Sequence, residues 1–165
     1  MKILVASDSH DRWDYLTQAI EIANNVGCEV MLFAGDLIAP VGARTLDKFN
    51  GHVHTVLGNN EGELVNLTRA LDKRENITFH KNTMEETIGG LSFYMNHYPD
   101  IVENAALTGK YDVCVYGHNH TYRDEVLENG THILNPGEVC GNRTLTPTAI
   151  IFDTDTNKAE KINLN

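Results

Sequence analysis

Five short segments of this 165-residue chain gather the side chains best suited to holding metal ions. They read Asp8-Ser9-His10, Gly35-Asp36, Gly58-Asn59-Asn60-Glu61, Asn96-His97 and Gly117-His118-Asn119-His120. Asp8, Asp36, Asn59, His10, His97, His118 and His120 are hard-to-borderline oxygen and nitrogen donors. Such a set suits manganese, iron, nickel, cobalt or zinc better than it resembles a thiolate zinc site. Seven donors exceed the needs of one tetrahedral ion and fill two sites only if one is shared. A carboxylate can bridge, and Asp36 is the natural candidate. Two bridged ions about 3.5–4 Å apart can clamp a phosphate and activate a water, with open positions left for substrate. The spacings Asp8-x-His10 and His118-x-His120 would put each pair on one side of an extended segment.

Singly, these segments say little. Gly-Asp after a strand is usually a turn or cap, and a lone buried histidine is usually a hydrogen-bonded core residue. What joins them is position. Residues 2–6, 29–34 and 51–57 are short apolar runs, read as buried strands. Each ends at one of the first three segments. Between them the pattern turns helical. Leu16, Ala19, Ile20, Ala23 and Val26 recur at helical spacing before Gly27, Pro40 opens a helix over 40–49, and residues 62–73 form a third. Strand–loop–helix, three times over, predicts parallel strands with crossover helices. In such folds ligands collect beyond the carboxyl ends of the strands.

The second half is patterned differently. Residues 84–88 and 91–96 flank Gly89-Gly90 as a hairpin, and 101–108 form a short helix. Residues 111–116 form a strand running into Gly117-His118. Residues 123–127 and 131–134 flank Asn129-Gly130, and 148–153 and 158–164 flank a third turn. A second, largely antiparallel sheet packed on the first is expected, with helices on the outer faces. No repeat or linker interrupts residues 1–165, which read as a single domain.

Composition narrows the partners. The net charge of −10 disfavours long nucleic acid, whose phosphates need Lys and Arg contacts, and a membrane surface equally. No apolar run reaches the length of a membrane span, and the apolar N-terminal run is too short for a secretion signal. Three widely spaced cysteines, Cys28, Cys114 and Cys140, form no disulfide or zinc-ribbon pattern, so a reducing cytoplasm is expected.

With the five segments in this order, the chain resembles the calcineurin-like metallophosphoesterases. Their pattern is D-x-H, G-D, G-N-x-[DE], H and G-H-x-H, and the resemblance extends past Asn135-Pro136-Gly137. The short length is similar to the small single-domain prokaryotic and archaeal phosphodiesterases. The resemblance implies a four-layer α/β/β/α sandwich of two mixed sheets. It implies one ion held by Asp8, His10, Asp36 and His120, and another by Asp36, Asn59, His97 and His118. Asp36, Asn59 and His97 would be catalytic as well. The implied activity is hydrolysis of a small phosphodiester with two divalent ions, manganese favoured and nickel, iron, cobalt or zinc as alternatives. A phosphomonoesterase and a metal-binding scaffold are the rival readings. Small relatives make a homo-oligomer plausible.

Two positions depart from the pattern. Asn60 stands where many members carry a histidine able to protonate the leaving group, and an amide cannot do this at neutral pH. Tyr98 follows His97 where glycine is usual, and it either closes the pocket or stacks on an aromatic ester. Cys140 lies in a turn near the site without redox partners, and Arg143 is either a phosphate contact or a surface residue. Trp13 reads as a lid over the first helix. His52, His54, His80 and His132 have no partnering motif and are expected to be surface or core residues.

Overall fold

The first strand, β1 (Lys2–Ala6), is apolar on both faces, and this sets the layering. Leu4 and Ala6 pack towards helices, while Ile3 and Val5 pack towards a second sheet. A computed structural model describes residues 1–165. After β1 come α1 (Trp13–Asn25), β2 (Val30–Phe33), α2 (Pro40–Leu46), β3 (His52–Thr55), α3 (Leu64–Asp72) and β4 (Ile77–Phe79). The chain continues through β5 (Thr83–Ile88), β6 (Leu91–Asn96), α4 (Pro99–Leu107), β7 (Val113–Val115), β8 (Arg123–Val126), β9 (His132–Asn135), β10 (Thr148–Asp153) and β11 (Lys158–Asn163).

The first sheet has the order β11-β10-β1-β2-β3-β4, and the second β5-β6-β7-β9-β8. Strands β1 to β4 pair in parallel, as expected of strands joined by crossover helices. Helices α1, α2 and α3 cover one face of this sheet through Leu16, Ile20, Leu46 and Leu67. Leu32, Phe93, Met95, Val115 and Phe152 fill the layer between the sheets. On the far side α4 packs Val102 and Ala106 against Cys114, Tyr116 and Ile133. The result is the expected α/β/β/α sandwich of two mixed sheets.

Local stops follow from local chemistry. Helix α1 buries Leu16, Ala19, Ile20 and Ala23 on one stripe. It ends at Gly27, whose φ of 77° lets the Gly27 and Cys28 amides reach back to the carbonyls of Asn24 and Ala23 at 3.2 and 2.9 Å.

Three expectations need correction. The second sheet is not largely antiparallel, since β6–β7 and β7–β9 are parallel pairs. The hairpin β10–β11 returns to the first sheet, where β10 pairs antiparallel with β1. Buried apolar strands carry no mark of which sheet they will join. Finally, β4 went unread, because three residues are too few to show a period. No helix is long and apolar enough to cross a membrane.

Candidate metal centre

All seven candidate side chains meet at one end of the sandwich. Asp36 lies between two groups of them. Its Oδ2 is 3.7 Å from His10 Nε2, and its Oδ1 is 3.6 Å from His97 Nε2. On the His10 side, His120 Nε2 is 3.3 Å from Asp8 Oδ1, and the His10 and His120 rings are 5.4 Å apart. On the His97 side, Asn59 Oδ1 is 3.0 Å from His97 Nε2 and 2.8 Å from His118 Nδ1. Atoms bound to one ion at about 2.1 Å sit about 3.0–3.4 Å from each other, close to these separations.

The backbone route to this cluster differs from the expected extended segments. Asp8, His10, Asp36, His118 and His120 all have positive φ, between 45° and 68°. Three of the five strand ends, those of β1, β2 and β7, therefore carry left-handed kinks, and their side chains are aimed by those kinks rather than by strand alternation. Such conformations cost of order 1–3 kcal/mol each outside glycine and gather at functional sites. Backbone pairing over-determines them. The Asp8 amide donates to the Gly35 carbonyl at 3.0 Å, and His10 to Asp36 at 3.1 Å. The Val139 and Cys140 amides donate to Ser7 and Asp8, each at 3.0 Å.

The donors fit a cation on three counts. Asp8 is buried, and its Oδ1 has no hydrogen-bond partner, while Oδ2 accepts from Ser7 Oγ at 2.6 Å and the His118 amide at 3.0 Å. Burial pushes the Asp8 carboxyl up to about 8 in the ion-free chain, and the nearby charges of Asp36 and Glu138 add to this. His97 Nδ1 lies 2.7 Å from the Ala34 carbonyl, which can only accept, so the proton sits there and Nε2 keeps a lone pair. Burial lowers the pKa of His97 and of His10, so both rings favour the neutral form that a metal requires. The Asn59 oxygen and the His97 Nε2 lone pair thus face each other at 3.0 Å, an approach that a cation between them would relieve.

Two carboxylates that are not among the seven donors, Glu138 outside the motifs and Glu61 within the third, hold this arrangement in place. Glu138, fully buried, accepts from His120 Nδ1 at 2.5 Å and from Cys140 Sγ at 3.1 Å. Its other oxygen accepts from the amides of Arg143 and Thr144 at 2.8 and 2.6 Å. Burial alone would raise this carboxyl, but the Thr144, His120 and Cys140 donors overcome it and hold it at about 2. Glu61 ties down the Asp36 loop, its carboxylate accepting from the amides of Asp36, Ile38 and Gly58 at 3.1, 2.7 and 2.9 Å. Sequence reading missed Glu138; its one visible signal was its place in the Pro136–Gly141 turn.

The two departures from the pattern also find places. The Asn60 amide nitrogen and backbone N–H donate to Asp36 Oδ2 and Oδ1, both at 2.8 Å. Burial would raise the Asp36 carboxyl, yet these bonds and the facing histidines keep it below its ordinary value. Tyr98 is part-exposed, with its ring edge-on to His97 at 5.3 Å and 5.1 Å from His118. It borders an open cavity of about 390 Å³ shared with Asn59, Leu64, Asn82, Asn96 and Ile101. Cys140 lies beside His10 and His120, but burial pushes its thiol up to about 12. Arg143 is exposed, and its charge is felt at His10. Trp13 packs on the helical side of the core. The donors, charges and open side of this site suit an anionic substrate held on cations.

Comparison with known proteins identifies the family. The profile of the calcineurin-like phosphoesterase superfamily domain matches residues 1–157. A phosphodiesterase of Methanocaldococcus jannaschii is 31% identical over 166 residues, covering 99% of both chains. The solved structure of an archaeal phosphodiesterase superposes with a TM-score of 0.92 at 32% identity, over 99% of this chain and 100% of that one. At 18% identity, the Escherichia coli phosphoesterase YfcE shares the fold, with a TM-score of 0.71 and full coverage of both chains.

Proposed function

The chain belongs to the calcineurin-like phosphoesterase superfamily, hydrolases of ester bonds, and from that premise we propose that it is a metal-dependent phosphodiesterase acting on a small substrate. The observation that carries the reading is the position of Asp36 between two donor groups, one of which includes a buried carboxylate oxygen without a partner. Asp8, His10, Asp36 and His120 would hold one divalent ion, and Asp36, Asn59, His97 and His118 the other. Manganese is favoured, with nickel, iron, cobalt or zinc suited to the same donors. Such ions, when bound, polarise phosphoryl oxygens and lower the pKa of water.

The chain's own residues divide the remaining work. Asp36 and His97 hold the centre together, and the Asn59 amide faces the side where a phosphate would sit. Arg143, exposed and with its charge felt at His10, would add a planar cation to the anionic group. The cavity beside Tyr98 has room for the ester's second substituent. Nothing at position 60 can give a proton to the leaving group, so esters with acidic leaving groups are the better substrates. The preference for a diester rests on likeness to the archaeal phosphodiesterases. Three unpaired buried cysteines fit a reducing cytoplasm.

The test is metal content with turnover of bis-p-nitrophenyl phosphate, with and without Mn2+, beside the corresponding monoester. Metal-dependent turnover that favours the diester is expected. Asp36→Ala should lose bound metal and turnover together, and activity retained at low metal content would defeat the bridged arrangement.

A further inference from the structure

A second group of metal-ligating side chains lies away from the strand-end centre. His52 and His54 pair in register with Val30 and Leu32, whose side chains fill the layer between the sheets. The two histidines therefore face the second sheet. On β5, Glu86 alternates with Met84 and Ile88, which also fill that layer, so a carboxylate points into the same gap from the opposite sheet. The crossing from β4 to β5 brings in His80. One ligating atom from each of His54, His80 and Glu86 lies within 4.8 Å of the others.

The chemistry of the group is that of a divalent-ion site rather than of packing. His54 Nδ1 is 2.9 Å from His80 Nε2, and the rings stack at 5.2 Å. Two imidazole nitrogens facing each other need a proton or a metal between them. On a tetrahedral ion with bonds of about 2.05 Å they would be about 3.3 Å apart, a shift of a few tenths of an ångström. His52 is occupied elsewhere, its Nε2 being 2.8 Å from Thr78 Oγ1, and so stands beside the group rather than in it. Burial lowers the pKa of His54 to about 4 and that of His80 below its ordinary value, leaving neutral rings at physiological pH. Glu86 supplies the compensating charge and is exposed, which gives an ion a path in.

We propose that His54, His80 and Glu86 form a second metal site that takes one zinc-class divalent ion and ties the two sheets together at their open edge. Two imidazoles and one carboxylate leave a fourth position for water, and they select a borderline ion over magnesium or calcium. An ion here binds only the folded chain and raises its stability by mass action. The competing explanation is an inward-pointing charge that protects an edge strand from pairing with other chains.

The test compares zinc content after equilibrium dialysis of the whole chain, His80→Ala and Glu86→Gln against Zn2+ alone. The unaltered chain should hold one zinc per molecule more than His80→Ala. Glu86→Gln should weaken that last equivalent at least tenfold. Zinc should raise the melting temperature of both variants less than that of the unaltered chain, while Mn2+-supported phosphoesterase turnover stays within twofold. Should His80→Ala not fold, the exposed Glu86→Gln position carries the comparison. Equal zinc content in all three chains would overturn the proposal, as would loss of turnover in step with loss of zinc.

Discussion

Glu138 grips the far nitrogen of the ring that faces Asp8: its carboxylate is 2.5 Å from His120 Nδ1, while His120 Nε2 stands 3.3 Å from the unpartnered Asp8 oxygen. A carboxylate behind a histidine fixes the tautomer and makes the outer nitrogen a better ligand. Glu138→Gln keeps the shape but removes the charge and one of two acceptor oxygens. Metal affinity or turnover should fall about 10–100-fold. Calorimetric titration with Mn2+ alongside kcat checks this, and an unaltered affinity and rate would show that His120 needs no such support.

Asp8 and Glu138 impose opposite pH dependences on the ion-free chain. Asp8 has its folded pKa raised from 3.8 to about 8, so its contribution is full below 3.8 and is lost as pH rises through 8. Glu138 is depressed from 4.5 to about 2, so its contribution is present above 4.5 and is lost as pH falls through 2. The histidines whose pKa is lowered, His10 and His97, act below 6.5. Melting temperature after chelator treatment should therefore drop between pH 6.5 and 8, where Asp8 acts without the histidines, and level off above 8. Asp8→Asn should flatten that drop, and Mn2+ should abolish it in the unaltered chain. A flat profile before either change would contradict the raised Asp8.

Gly117 owes its identity to what it touches. A Cβ there would collide with Ser7 Oγ and Asp8 Oδ2, the pair that orients the Asp8 carboxylate. Gly117→Ala should lower kcat/KM by about a hundredfold or more, the cost of misplacing a catalytic group by about an ångström. Gly62→Ala is the control, since a Cβ there meets nothing nearer than 3.6 Å. Comparable losses in both would point to general destabilisation instead.

Asn60→His restores a proton donor to the third motif. A positioned acid contributes about 10²–10⁴-fold where the leaving group is poor. Rates for alkyl esters should rise relative to p-nitrophenyl esters, and the dependence of rate on leaving-group pKa should become shallower. The replacement also gives up the Asn60 bond to Asp36, so KM for Mn2+ is measured in parallel. An unchanged dependence would mean that protonation does not limit the reaction.

Much of this site was legible because its donors follow apolar runs. Lys2–Ala6 and Val30–Phe33 announce themselves as strands, and Asp8 and Asp36 stand just past their ends. How the donors are aimed was not legible. The i, i+2 rule supposes extended backbone, whereas Asp8 and His10 have φ of 55° and 45°. Kinks of this kind arise from pairing with residues such as Gly35 and Cys140, far along the chain. Glu138 escaped notice because a carboxylate in a turn looks the same whether it is solvated or holds a histidine. His54, His80 and Glu86 were passed over for a related reason: they come from two sheets, and no local spacing joins them.

The antiparallel pairing of β1 with β10 bears on the order in which this chain can acquire its structure. Ile3 and Leu4 take Phe152 and Ile151, far later in the chain, as partners. The Ser7–Asp8 carbonyls wait likewise for Val139 and Cys140. During synthesis β1 therefore keeps one edge bare until β10 has emerged, and an unpaired apolar edge invites association with other chains. The same delay means that a nascent chain lacking Val139 and Cys140 cannot fix Asp8 in place, so the donor set at the strand-end centre is complete only once both have been made.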